Sequence, residues 1–163
     1  MAVNILIVDD HPLIREGLKK VLESEPDIKV AAEASTTDEV SDALKVNCID
    51  IILLDISLHG KSGLDIIKEI KEQYPHIAIL IISMHSEESF AIRSLKMGAS
   101  GYLTKDCASD DLILAIRKII KGEVYLSSNL SRLLVNKISE NDNQMPHESL
   151  SDREFQVLRL LAN

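Results

Sequence analysis

Residues 4–10 read NILIVDD, an apolar run that ends in two aspartates. The run is continuous rather than alternating, which is typical of a strand buried on both faces of a parallel sheet. Further apolar runs of strand length follow along the chain, and most of them are also continuous. The five predicted strands cover residues 4–8, 29–34, 50–54, 78–82 and 100–103.

Segments of helical period separate these runs, so that a βα unit is repeated five times. The predicted helices cover residues 12–24, 37–45, 62–73, 87–97 and 109–121. Pro12 suits the first position of a helix, and Gly98 and Gly122 fall where a glycine commonly ends one. This alternation predicts a doubly wound, flavodoxin-like α/β fold, in which helices cover both faces of a five-stranded parallel sheet.

Composition narrows the possible functions. The chain has 163 residues, of which 45% are hydrophobic and 27% charged, as expected for one globular domain with an appendage. The 18 basic and 26 acidic residues leave a formal charge of -8, which argues against a general nucleic-acid-binding surface. Aromatic residues make up only 3%, which argues against base-stacking platforms and carbohydrate clefts.

The cysteines and the N-terminal sequence indicate the cellular compartment. Cys48 and Cys107 have neither metal-ligand nor CxxC spacing, so we expect reduced thiols in the core. The N-terminus lacks the features of a signal peptide, and no run approaches the roughly 18 apolar residues of a membrane span. We therefore expect a cytoplasmic protein with no membrane partner.

Polar side chains gather where the predicted strands end. Four of the five predicted strands end in, or are followed by, such residues: Asp9, Asp10, Asp55, Ser83 and Lys105. The carboxyl ends of parallel strands meet at one edge of the sheet, so these side chains should lie close together. A single aspartate there is more commonly a helix cap, so the prediction depends on the whole set. Carboxylates this close repel one another unless a cation intervenes, and Mg²⁺ suits such an incomplete oxygen shell. The set predicts phosphoryl chemistry.

Two motifs at this edge, Val8-Asp9-Asp10-His11 and Tyr102-Leu103-Thr104-Lys105, resemble the receiver domain of two-component response regulators. The resemblance covers residues 3 to about 122. It implies that Asp55, in Leu53-Leu54-Asp55-Ile56, is the phospho-acceptor for a sensor histidine kinase, and that Lys105 is the family's invariant lysine. It also implies that the chain catalyses only its own phosphorylation and dephosphorylation.

The same resemblance implies a cofactor and a switch. Asp9, Asp10, Asp55 and the backbone carbonyl of Ser57 would hold Mg²⁺ or Mn²⁺. Ser83 would donate to the phosphoryl group, and Tyr102 would then fill the space that Ser83 leaves, altering a surface formed by the fourth helix, fifth strand and fifth helix. Without the resemblance, Tyr102 would be interpreted as an exposed aromatic residue at the end of a strand.

The C-terminal part resembles the NarL/FixJ-type subfamily, whose output domain is a LuxR-type helix-turn-helix. The resemblance rests on Asp106, on KGEVYLS at 121–127 and on LSDRE at 150–154. It implies a receiver domain at 1–122, a linker at 123–149 and the incomplete start of the output domain at 150–163. Apolar residues at helical spacing predict a helix over 127–138 within the linker. The full-length protein would bind promoter DNA and form a homodimer on phosphorylation. Because the recognition helix is absent, we expect no specific DNA binding by these 163 residues.

The sequence departs from the family pattern at one position, and one alternative function remains open. His59 stands where the family usually has proline, which affects the rigidity of the loop before Gly63 rather than the acceptor.

The alternative function is a magnesium-dependent aspartyl-phosphate phosphatase of the haloacid-dehalogenase type. That class needs a second aspartate two residues after its nucleophile, which neither Asp9 nor Asp55 has. A dinucleotide or flavin binder is disfavoured because the first turn is not glycine-rich.

Overall fold

The computed structural model describes residues 1–58, 62–84, 88–107 and 109–141. The strands are β1 (Val3–Val8), β2 (Ile28–Ala34), β3 (Ile51–Asp55), β4 (Ala78–Ser83), β5 (Gly101–Thr104) and β6 (Tyr125–Leu126). The helices are α1 (Pro12–Glu23), α2 (Thr37–Val46), α3 (Gly63–Gln73), α4 (Glu88–Lys96), α5 (Ser109–Ile120) and α6 (Ser128–Asn141). The five predicted βα units are therefore present, with boundaries within a residue or two of those expected.

All strands are parallel and form one sheet in the order β2-β1-β3-β4-β5-β6. This arrangement confirms the flavodoxin-like prediction and adds a sixth strand. In β6, Tyr125 pairs with Gly101 and Leu126 pairs with Tyr102. A two-residue strand is too short to give a periodic signal, which is why the sequence pattern did not reveal it.

Two helical layers cover the sheet, and the alternation of side chains along β1 shows how. Ile5 and Ile7 are buried on one face beneath α1 and α5, together with Leu22 and Ile116. On the opposite face, the fully buried residues of β1 belong to a second core formed with α2, α3, α4 and α6. Because both faces are covered, the central strands are continuous apolar runs rather than alternating ones.

The chain between Gly122 and Asn141 also contributes to the core. The helix predicted over 127–138 is α6, and its Leu130 is buried in the core on the α2–α4 face. Leu134 of the same helix packs with Leu95 of α4. As a result β6, rather than β5, forms this edge of the sheet.

The helix ends follow the local signals in the sequence. Pro12 stands in the first turn of α1. Gly98 and Gly122 both adopt positive φ, at 108° and 84°, which a residue with a side chain rarely does. The predicted helix-ending glycines are therefore confirmed.

The structure also bears on the prediction about the two cysteines. Cys48 and Cys107 are both free, as expected. Cys107 is half-buried and packs against the core on the α1–α5 face, but Cys48 is exposed, so the expectation of a core thiol is wrong there. Cys48 lies in the short connection that follows α2, and its neighbour Ile49 is the residue that enters the core.

Within the described ranges, no helix has the length and apolar content needed to cross a membrane. His59, Gly60 and the predicted elements at 142–149 and 150–163 lie outside the described residues.

Candidate functional site

The carboxyl ends of four neighbouring strands carry the predicted site residues. Asp9 and Asp10 follow β1, Asp55 ends β3, Ser83 ends β4, and Lys105 follows β5. The parallel register brings these ends to one edge of the sheet, because β3 pairs with both β1 and β4, and β4 pairs with β5. The predicted clustering therefore depends on topology as well as on the motifs.

Lys105 lies at the centre of the site. Its Nζ is 2.6 Å from Oδ2 of Asp9 and 2.8 Å from Oδ2 of Asp55, and all three side chains are almost completely buried. Burial acts to lower the pKa of the Lys105 ammonium, but the hydrogen bonds to Asp55 and Asp9 outweigh it and raise that pKa above its ordinary value. The side chain is therefore a fixed positive charge between two carboxylates.

Asp9 also receives hydrogen bonds from the start of α1. The backbone N–H of His11 donates to Oδ1 of Asp9 at 2.8 Å, and the Nδ1 atom of the imidazole is 3.0 Å from the same oxygen. The same Nδ1 is 2.8 Å from Oδ1 of Asp10. Arg15, one turn further along α1, donates from Nη1 to the backbone carbonyl of Asp9 at 2.7 Å.

His11 and Arg15 are site residues that the sequence analysis did not select. His11 entered it only as the last residue of a motif. A signal for both was present, because His11 directly follows the acidic pair and Arg15 stands four residues later on a helix, which places both near the same end of α1.

Three carboxylates and one imidazole form a donor set that could hold a metal ion. One ligand atom each from Asp9, Asp10, His11 and Asp55 lies within 4.8 Å of all the others. Carboxylate oxygens are the ligands that hard divalent cations prefer, so the residues present fit such an ion. The backbone N–H of Ser57 donates to Oδ1 of Asp55 at 3.0 Å, which holds the Ser57 backbone against the predicted acceptor.

A close backbone contact shapes the chain after Asp55. The N–H of Gly63 donates to the carbonyl of Ile56 at 3.1 Å. A Cβ atom on Gly63 would lie 2.7 Å from the Ile56 Cα and 3.0 Å from the Asp55 carbonyl oxygen, so only glycine fits here without a shift. Gly63 thus determines how closely α3 approaches the end of β3.

Ser83 and Tyr102 are both buried. Ser83 is completely inaccessible to solvent, and its backbone carbonyl accepts the N–H of Lys105 at 2.8 Å. Tyr102 is only 4% exposed and lies between Ile81 of β4 and Leu126 of β6 in the sheet. The interpretation of Tyr102 as an exposed aromatic residue is therefore wrong, because Tyr102 pairs with β6 and belongs to the core on the α2–α4 face.

Comparison with known proteins gives the family. Residues 5–117 match the model of the response regulator receiver domain. The chain belongs to this family. It is 31% identical to the response regulator UvrY of Escherichia coli K12 over 161 residues, which span 98% of this chain and 74% of UvrY.

Solved structures agree with this assignment. A LuxR-family two-component response regulator from Aurantimonas is 31% identical, with a TM-score of 0.77 over 88% of this chain and all of that one. The isolated receiver domain of RcsB from Salmonella enterica serovar Typhimurium, in the presence of the phosphomimetic BeF3⁻, is 26% identical. Its TM-score is 0.76 over 82% of this chain and 99% of that one.

These relatives favour the response regulator over the phosphatase alternative. The chain is a response regulator of a two-component system, and its relatives are of the LuxR and NarL type. Its receiver domain contains an acidic cluster that could bind a metal ion.

Proposed function

We propose that this response regulator accepts a phosphoryl group from a sensor histidine kinase on Asp55, in a magnesium-dependent reaction. The observation that carries the proposal is the position of Asp55, whose Oδ2 is 2.8 Å from the buried Lys105 ammonium and which shares the acidic cluster with Asp9 and Asp10. A carboxylate that is held beside a fixed cation, at the edge of the sheet, has the environment that a phospho-acceptor needs.

In the proposed reaction the Asp55 carboxylate attacks the phosphorus of a phosphohistidine. An O–P bond forms, the P–N bond breaks, and the imidazole of the kinase leaves with the electron pair. Lys105 neutralises negative charge on the transferred group, and the Ser57 N–H, already bonded to Oδ1, orients the carboxylate. Bound Mg²⁺, held by Asp10, Asp55, the Ser57 carbonyl and Asp9, would neutralise charge on the phosphoryl oxygens.

Asp9 has two tasks in this proposal. Its Oδ2 holds Lys105, while its Oδ1 accepts the backbone N–H of His11. Both oxygens are thus engaged by the protein itself. The same holds for Asp55, whose Oδ2 contacts Lys105 and whose Oδ1 accepts the Ser57 N–H. We infer that Asp9 chiefly positions Lys105 and the start of α1.

The switch that we propose runs through Ser83 and Tyr102 to α6. A phosphoryl group would attract the Ser83 hydroxyl, and a change in the packing of Tyr102 would then reach Leu126, its partner in β6, and Leu130, which belongs to the same core. The pairing of β6 with β5 favours this route over a direct change of an open surface at β5.

We propose the domain organisation that the sequence predicts. Residues 1–122 are the receiver, 123–149 the linker and 150–163 the start of a LuxR-type DNA-binding domain. The partners would be a sensor histidine kinase, a second copy of the chain on phosphorylation, and promoter DNA for the full-length protein. The compartment would be the cytoplasm.

Intact-mass spectrometry with a small phosphodonor and Mg²⁺ tests the acceptor. We expect the wild-type chain to gain one phosphoryl group and Asp55→Asn to gain none, because an amide is a poor nucleophile. Asp106→Asn is the matched control, because Asp106 is exposed and stands next to Lys105. Borohydride reduction followed by peptide mapping should place the label at residue 55. Full modification of Asp55→Asn, or loss of modification in Asp106→Asn alone, would overturn the assignment.

A further inference from the structure

The imidazole of His11 faces the acidic cluster. Its Nδ1 is 2.8 Å from Oδ1 of Asp10 and 3.0 Å from Oδ1 of Asp9, although the side chain as a whole is 59% exposed. We propose that His11 is a further metal ligand in this site and gives it a preference for transition-metal ions over Mg²⁺. The inference rests on the proposed metal-dependent phosphorylation and concerns which ions the same site accepts.

The spacing of the donor atoms fits a shared ion. In an octahedral shell with metal–ligand distances of about 2.1 Å, adjacent ligand atoms lie about 3 Å apart. The two distances from Nδ1 of His11 match such an edge, and the ligand atom of Asp55 completes a group that spans no more than 4.8 Å. A small movement of the side chains would bring all of them around one cation.

The backbone holds this nitrogen near the carboxylates. His11 is the residue that precedes the first turn of α1, and its N–H is bonded to Oδ1 of Asp9 at 2.8 Å. Arg15 in turn holds the carbonyl of Asp9. The Cα of His11 is therefore fixed beside the cluster, and only the side-chain torsions remain to be adjusted.

The chemistry of the added nitrogen predicts the selectivity. Mg²⁺ prefers oxygen ligands and keeps several waters, so it gains little from an imidazole. Imidazole suits Ni²⁺, Fe²⁺ and Zn²⁺, and affinity for nitrogen and oxygen sites rises from Mn²⁺ to Ni²⁺. A site made of carboxylates alone would discriminate less between Mg²⁺ and Ni²⁺ than one that includes His11.

A competing role is charge compensation alone. Here the imidazole would neutralise Asp9 and Asp10 only until an ion arrives and displaces it. Removal of His11 would then strengthen the binding of Mg²⁺ and Ni²⁺ alike, because both ions would lose the same competitor. The two roles thus predict opposite effects on Ni²⁺ affinity.

Isothermal titration of the whole chain with Mg²⁺ and with Ni²⁺ tests the proposal. We expect His11→Asn to weaken Ni²⁺ binding by about tenfold or more and to change Mg²⁺ binding by less than about threefold. His76→Asn is the matched control, since His76 is an exposed histidine outside the cluster. Pulsed electron paramagnetic resonance of bound Mn²⁺ should show a nitrogen coupling that His11→Asn removes and His76→Asn retains.

The outcomes separate this proposal from the proposed function. Unchanged or tighter Ni²⁺ binding in His11→Asn, or the same nitrogen coupling in that variant, would overturn the role of His11 and leave phosphorylation on Asp55 intact. Asp10→Asn serves as the control for the site itself. If Asp10→Asn binds Mg²⁺ as tightly as the wild type, the metal site is misplaced and the proposed function loses its cofactor assignment.

Discussion

Lys105 shows how strongly one buried residue affects the electrostatics of the site. Its ammonium lies between Oδ2 of Asp9 and Oδ2 of Asp55, and the three side chains are between 1% and 3% exposed. In such a site the cost of desolvating the charges is large, and the attraction between them offsets it only while all partners are present. A neutral side chain at position 105 would leave two carboxylates facing each other.

We therefore expect Lys105→Met to lower the free energy of unfolding by about 3 kcal/mol, the cost of breaking a buried pair by removing one partner. Urea unfolding at neutral pH measures the change. Adding Asp9→Asn should recover part of the loss, because only one buried carboxylate then remains. A Lys105→Met variant as stable as the wild type, or a double variant less stable than the single one, would contradict this account.

A second single residue, Gly63, determines how closely α3 approaches the end of β3. Gly63 approaches Ile56 and the Asp55 carbonyl too closely for any Cβ atom, although its φ is not in the positive range. The requirement for glycine at this position is therefore steric and depends on a neighbouring segment, which sequence alone does not reveal.

Among the elements, β6 and α6 distinguish this chain from the simple five-unit pattern. β6 pairs with β5 beside the buried Tyr102, α6 packs on α4, and the pairing of β6 depends on a close approach at Gly101. A Cβ atom there would lie 2.9 Å from the carbonyl oxygen of Tyr125 and 3.0 Å from Leu80 Cδ1. The pairing of β5 with β6 thus needs a residue without a side chain at position 101.

Gly101→Ala should lower the free energy of unfolding by about 2 kcal/mol, because the added methyl group overpacks the contact between β5 and β6. The amide of Tyr125, which donates to the carbonyl of Ser100, should also exchange its hydrogen faster. Gly17→Ala is the matched control. Nothing lies within 4 Å of its Cβ position in α1, and the change should add about 0.5 kcal/mol by favouring the helix. Equal effects of the two substitutions would contradict the steric argument.

Helix α5 is linked to the start of β2 by charges. Arg117 donates from Nη1 to Asp27 and from Nη2 to Glu25, both at 2.6 Å. The hydrogen bond from Arg117 lowers the pKa of the Asp27 carboxyl below its ordinary value. A carboxyl whose pKa is lowered on folding contributes stability above its unfolded pKa of about 3.9 and loses it as the pH falls further.

We accordingly expect Arg117→Gln to lower Tm by a few degrees at pH 7, and the difference from the wild type to shrink as the pH falls below about 4. Thermal melts over this range test the sign. Lys121→Gln removes the same charge immediately after α5 and should leave Tm nearly unchanged at every pH. A difference between Arg117→Gln and the wild type that grows in acid would show that the Asp27 pair does not act as described.

For the whole molecule, the question is where the cooperative unit ends. The residues after Gly122 add a strand to the sheet and bury Leu130 and Leu134. A chain that ends at residue 122 would lack the strand partner of Tyr102 and the contact of Leu95 with Leu134. Unfolding of the receiver and of α6 should therefore be a single transition.

Differential scanning calorimetry of two shortened chains tests this view. The chain ending at 122 should unfold at a lower temperature than the one ending at 141, because burial of apolar side chains contributes roughly 1.5 to 3 kcal/mol for each large residue. The chain ending at 141 should show one transition. Two separate transitions in that chain, or equal transition temperatures in both, would mean that β6 and α6 do not stabilise the receiver.

The sequence by itself determined the βα order, the flavodoxin-like class and the residues at the strand ends, because periodicity, glycine and proline positions and apolar runs are local properties. It also determined which motifs to compare, since Asp9, Asp10, Asp55 and Lys105 stand at recognisable spacings. Their roles as ligand, acceptor and switch residues stay predictions.

Only the tertiary structure decided how these parts meet. The ion pairs of Lys105 with Asp9 and Asp55, and the contact of His11 with both Asp9 and Asp10, depend on side-chain positions that no periodicity encodes. The strand β6 and the burial of Tyr102 join residues more than twenty positions apart in the sequence. The physical reason is that a two-residue strand and a close approach at glycine are stabilised by their neighbours in space, whereas a helix or a long buried strand is already specified by its own residues.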